Sequence, residues 1–172
     1  MKKNNNINNN AIITITNPKI FYSLKESQAK RIKCFYFQNI TIDSNIMKQL
    51  MSFSLDKIDT LYFIQCYFKD LNILSTINYC SNLGFINCGL YIEDIEYLLG
   101  WITDWEHLET LDLSGNKLGK DENEFLIWLN FNLWNKVYID SIILEGNNFS
   151  EDFQDKFIEH NETYKSFNEI VF

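Results

Sequence analysis

Apolar residues alternate along this chain in short bursts, and the bursts themselves recur. In "LETLDLSGNKL", beginning at Leu108, leucines hold the first, fourth, sixth and eleventh places and Asn116 the ninth. Six further windows align on it. "IDSIILEGNNF" begins at Ile139 and sets Ile142, Leu144, Asn147 and Phe149 on the key places. "CSNLGFINCGL" begins at Cys80 (Leu83, Phe85, Cys88, Leu90) and "IDTLYFIQCYF" at Ile58 (Leu61, Phe63, Cys66, Phe68). Weaker copies begin at Ile32 (Phe35, Phe37, Ile40, Ile42) and Asn10 (Ile13, Ile15, Pro18, Ile20), and a truncated one at Phe167 (Ile170, Phe172). The starts are separated by 22, 26, 22, 28, 31 and 28 residues, a spacing that marks a solenoid of stacked units.

Each window reads as a short strand with alternate side chains turned inward. Between windows lie stretches with helical spacing. In "YIEDIEYLLGWITDWEH" residues Ile92, Ile95, Leu99 and Ile102 share a face, with Glu93, Asp94 and Glu96 near the start, where a helix favours negative charge. "SNIMKQLMSF" offers Ser44 as a cap ahead of Ile46, Leu50 and Phe53. "EFLIWLNFNLW" carries Phe125, Leu129 and Leu133, and "SEDFQDKFI" carries Phe153 and Phe157 behind Ser150. Strand, turn and helix in repetition predict an α/β fold with a parallel sheet lined by helices. No unit can bury its apolar face alone, so neighbours stack and the ends are capped. The first nine residues, Asn-rich and nearly without apolar groups, read as a disordered tail.

The windows resemble leucine-rich repeats, whose pattern is Leu-x-x-Leu-x-Leu-x-x-Asn/Cys-x-Leu. The long steps and the exchange of Cys with Asn at the ninth place are most similar to the ribonuclease-inhibitor-like subclass. The resemblance covers residues 10–172, is strongest over 58–149, and departs from the pattern at Pro18 and Ile40. It implies one domain of about six to seven units with irregular end caps: a short horseshoe, its sheet concave and its helices convex.

Composition narrows the function. A net charge of −8 and a pI near 4.7 argue against nucleic acid, which wants a basic stripe, and against a membrane surface. The same acidity favours a basic partner. "MKKNNNINNN" has no apolar run behind its lysines and does not read as a signal peptide; no stretch is apolar for long enough to span a bilayer. The bias toward Asn, Ile, Lys, Phe and Tyr is typical of A/T-rich genomes, such as those of amoebae and their intracellular bacteria.

Little in the chain suggests catalysis. Asn116, Asn147, Cys66 and Cys88 sit where the chain leaves each strand, a structural position in which an amide or thiol meets backbone groups. Cys34 and Cys80 have no matching partners, so neither a disulfide framework nor a metal site emerges, and four reduced thiols are expected. His107 and His160, the two histidines, read as helix-end residues. "LSGNKLGKD" has Gly115, Lys117 and Lys120 at the wrong spacing for a phosphate loop. No enzyme and no cofactor is expected. Trp101, Trp105, Trp128 and Trp134 all fall in helical segments and read as packing under the helical layer.

Alternation also selects the residues that leave the core. The fifth places are Thr14, Tyr36, Tyr62, Gly84, Asp112, Ile143 and Val171; the seventh are Thr16, Gln38, Ile64, Ile86, Ser114 and Glu145. Tyr36, Tyr62, Ile64 and Ile86 then form an apolar cluster on the concave sheet, with Gln38 and Ser114 beside it and Asp112 and Glu145 as a solvent-exposed acidic flank. Apolar patches with polar rims mark partner sites. These residues predict a monomeric protein-binding module, cytoplasmic or delivered into a host cell as a bacterial effector. The acidic tail "EHNETYKSFNEIVF" resembles a type IV secretion signal and also reads as a capping strand. A substrate-recruiting subunit of a ubiquitin ligase is the alternative.

Overall fold

The computed structural model describes residues 12–53, 58–77, 80–100, 102, 105, 107–132 and 138–172. The Asn-rich first nine residues, Trp101, Leu133 and Trp134 lie outside these. The chain runs β1 (Ile12–Ile15), α1 (Pro18–Tyr22), α2 (Glu26–Ala29), β2 (Cys34–Gln38), β3 (Thr41–Ile42) and α3 (Ser44–Met51). It continues with β4 (Thr60–Ile64), β5 (Tyr67–Phe68), a 3-10 helix at Leu71–Thr76, β6 (Asn82–Ile86) and α4 (Ile92–Gly100). Then come β7 (His107–Asp112), a 3-10 turn at Leu118–Asp121, α5 (Glu122–Asn132), β8 (Tyr138–Ile143), α6 (Glu151–Tyr164) and β9 (Phe167–Val171). The fold is α/β. Seven strands form one parallel sheet in the order β1-β2-β4-β6-β7-β8-β9, and β3 pairs with β5 in a second, two-stranded sheet.

The strand register follows the sequence alignment. Ile13, Phe35, Leu61, Leu83, Leu111, Ile142 and Ile170, the fourth place of every window, stand in one row across the sheet. Because a slip of one residue would turn every buried side chain outward, the apolar alternation pins this register. Phe37, Phe63 and Phe85 of the sixth place are fully buried and stack at 5.4 and 5.3 Å between centroids. Each ring contributes about 2–3 kcal/mol by burial, and stacking adds about 1 kcal/mol.

Helices cover one face of this sheet. Ile46 and Leu50 of α3, Ile95 of α4, Phe125 and Leu129 of α5, and Phe153 and Phe157 of α6 join the strand residues in one core. Ser150 caps α6 as its position suggests, accepting from Phe153 N at 3.2 Å. At α3 the cap is Asp43, not Ser44: its Oδ1 accepts from Asn45 N and Ile46 N, and a carboxylate also suits the positive helix end. Pro18 breaks the strand-exit pattern because it opens α1, where its missing N–H costs nothing and Asn17 supplies the cap. His107 opens β7 rather than closing a helix.

The exits from the strands repeat one conformation. The eighth place of five windows, Asn39, Gln65, Asn87, Gly115 and Gly146, has a positive φ of 55°, 53°, 52°, 67° and 71°. This left-handed residue swings the chain out of the strand and turns the ninth side chain inward. Gly115 eases this turn, since a Cβ there would lie 2.1 Å from Asn87 Oδ1 and displace that side chain.

Candidate functional site

The face of the sheet opposite the helices carries the fifth- and seventh-place side chains. Tyr36, Tyr62, Ile64 and Ile86 stand on adjacent strands, with Tyr36 registered to Tyr62 and Ile64 to Ile86. All four are half-buried, as are Gln38 and Ser114, while Glu145 is exposed. The two tyrosine rings meet edge to face at 5.5 Å. These neighbours account for the partial burial, and the strip is flatter and less exposed than alternation alone suggests.

Gly84 explains its shape. It follows Tyr62 in the fifth-place row, and a Cβ built on it would approach the Tyr62 ring to 3.0 Å. The ring therefore lies down over a backbone that no side chain protects. Burial pushes the Tyr62 phenol up to about 12, and the nearby Asp112 carboxylate, then Tyr36 and Cys80, add in the same direction. Asp112 itself departs from the expectation of an exposed acidic flank. It is only 7% exposed, and its Oδ1 accepts from Ser114 N at 3.0 Å in a local turn. The carboxylate folds back on its own backbone, which a position read by alternation cannot reveal.

No protein-family model and no curated protein matches the chain.

The other chemically capable groups are committed to structure. Asn116 is buried: Nδ2 donates to Phe85 O at 2.6 Å and Leu113 O at 2.7 Å, and Oδ1 accepts from Cys88 N and Leu90 N. Asn147 repeats this with Leu113 O, Leu144 O and Leu118 N. Cys66 and Cys88 hold the same place and donate to Phe37 O and Phe63 O, each at 3.3 Å. Burial pushes both thiols up, Cys88 to about 12, and Cys80 is raised for the same reason. Such thiols are poor nucleophiles. All four cysteines are unpaired, and among the described residues no three His, Cys, Asp or Glu side chains converge as a metal site.

Lys117 donates to Tyr91 Oη at 2.8 Å, and Lys117 and Lys120 stand over the Tyr91 ring at 4.6 and 5.2 Å. The hydrogen bond to Lys117 lowers the Tyr91 phenol. Sequence reasoning missed this cluster, although the 26-residue separation of Tyr91 and Lys117 places them on adjacent units. His160 rests its ring on Tyr164 at 6.3 Å within α6. Trp105 is buried, as packing under the helices requires. Among the described residues no helix is long and apolar enough to cross a membrane.

Proposed function

We propose that the chain is a short leucine-rich-repeat solenoid that binds a protein partner through the open face of its sheet and performs no catalysis itself. The solenoid reading is supported by the common register of seven aligned windows and by the ninth-place side chains Cys66, Cys88, Asn116 and Asn147, each of which bonds the turn before it. The functional reading rests on one observation: Tyr36, Tyr62, Ile64 and Ile86 form a contiguous aromatic and aliphatic strip on the face away from the helices. Tyrosine supplies large contact area with little entropy to lose, which makes such a strip a natural anchor. The four unpaired thiols are in keeping with a reducing cytoplasm, the cell's own or a host's.

Site-specific photo-crosslinking tests the proposal. A photoreactive residue placed at Gln38 or Ile86 should capture one partner from cell lysate. The same residue at Tyr97 of α4 or Ile127 of α5, both exposed on the helical side, should not. Capture confined to the helical positions would move the site to the other face.

A further inference from the structure

Charge divides the open face into two parts. Around β2 and β4 the third, fifth and seventh places hold no charged residue, and Lys33 and Asp59 at the second place pair with each other at 3.2 Å. Across β7, β8, β9 and the turns after them the same places carry Glu169, Asp112 and Glu145, with Glu109 at the second place, and no Lys or Arg stands at any of them. Asn82 donates one bond to Glu109 Oε2 at 3.4 Å, which cancels no charge. Acid without base at these places gives this part of the face a negative field, which attracts a cationic partner.

Asp112 joins the two parts. It is the one charged residue in the fifth-place row, and Gly84, which separates it from Tyr62, has no side chain to intervene. Ser114 N occupies its Oδ1, and among the described residues no donor is seen on Oδ2. A carboxylate only 7% exposed beside an aromatic ring suits a guanidinium or ammonium group, which gains a charge-assisted bond from one and a cation–π contact from the other. Acidic or neutral segments would gain neither.

Resting on the sheet-face reading above, we propose that the partner docks as a basic segment of protein. One of its Arg or Lys side chains sits against Asp112 beside Tyr62, and its apolar neighbours lie on Tyr36, Ile64 and Ile86. The flanking Glu109 and Glu145 steer it in and fix its direction along the face.

A displayed library of random twelve-residue peptides, panned on the intact protein, tests this. The enriched peptides should carry Arg or Lys next to aromatic or aliphatic residues. Their affinity should fall at least tenfold on Asp112→Asn, which keeps the acceptor for Ser114 N while removing the charge. It should fall again when salt is raised from about 50 mM to about 500 mM. If Asp112→Asn does not fold, the Glu109→Gln/Glu145→Gln double variant should weaken the same peptides and flatten their salt dependence. Peptides without basic residues that still lose binding on Tyr62→Ala would overturn the cationic partner and leave the sheet-face reading standing. Peptides indifferent to Tyr62→Ala, or a library with nothing enriched, would overturn both.

Discussion

Where Cys66 donates through its weak S–H to the Phe37 carbonyl, Asn116 at the equivalent place makes strong amide bonds and accepts two more. The same turn is thus held by different means in the two halves of the molecule. On the β2–β6 side the exits are joined by backbone pairing, with β3 beside β5, and the sixth-place rings of Phe37, Phe63 and Phe85 stack beneath them. On the β7–β8 side the sixth place holds Leu113 and Leu144, and two buried amides tie the turns together. Apolar contact can be lost by degrees; a buried amide network fails at once, because its orphaned backbone groups keep their desolvation cost. The open face divides along the same line, aromatic on one side and acidic on the other.

The largest expected effect comes from the aromatic side. Phe63→Ala should cost about 4 kcal/mol in a denaturation series, since it empties the middle of the Phe37–Phe63–Phe85 stack. Leu113→Ala, at the same place of the other half, should cost about 3 kcal/mol. A larger loss at Leu113 would show that the stack contributes nothing beyond its area.

Asn116→Ala should cost about 3 kcal/mol, because it strands Phe85 O, Cys88 N and Leu90 N, while Leu113 O keeps its bond from Asn147 Nδ2. Cys66→Ala should cost only about 1 kcal/mol. Asn116→Cys should fall between the two, keeping a donor and losing the acceptor. If it equals wild type, the amide's accepting oxygen is dispensable and the proposed contrast between the halves disappears.

These differences bear on what the sequence could reveal. The register was legible because apolar alternation carries the information of pairing: a slip reverses every side chain. The ninth-place residues were legible for the same reason. Asp43 and Ser44 both suit a helix cap and lie one residue apart, so residue type does not choose between them. The β3–β5 sheet was missed although Thr41, Ile42, Tyr67 and Phe68 are good strand residues, since two residues give no period to detect. In the candidate site, Tyr36, Tyr62, Ile64 and Ile86 followed from alternation, but the burial of Asp112 did not. That depends on a side chain bonding its own turn, which has no signature in spacing.

Alkaline pH separates the halves by a third, smaller effect. Tyr62 is raised from 10.0 to about 12 and Cys88 from 9.0 to about 12, with Cys66 and Cys80 raised as well, and all four lie on β4, β6 or the segments beside them. Below about pH 9 folded and unfolded chains both hold these protons. Between about pH 9 and 12 the unfolded chain releases them while the fold retains them, so stability falls as pH rises. Partial solvent access at Tyr62 and Cys88 moderates the slope. The melting temperature should therefore decline above pH 9, and Cys88→Ala with Tyr62→Phe should flatten the decline. A curve indifferent to both substitutions would mean that alkaline loss arises elsewhere.

The smallest effect is at the boundary between the halves, where Tyr62 lies on Gly84. Tyr62→Ala should cost about 1 kcal/mol, more than an ordinary surface change, because it uncovers a strand backbone and removes the Tyr36 contact. Gly84→Ala should cost a similar amount, since its new Cβ would press the ring at 3.0 Å and force it to move. In a Tyr62→Ala background that ring is gone, and Gly84→Ala should become nearly neutral. The two losses should therefore fail to add by about 1 kcal/mol in a double-mutant cycle, as expected for side chains in direct contact. Additive losses would mean that the ring stands away from Gly84 in solution. Tyr62 would then be a free side chain rather than a preorganised one, and the seat beside Asp112 would have to be assembled by the partner.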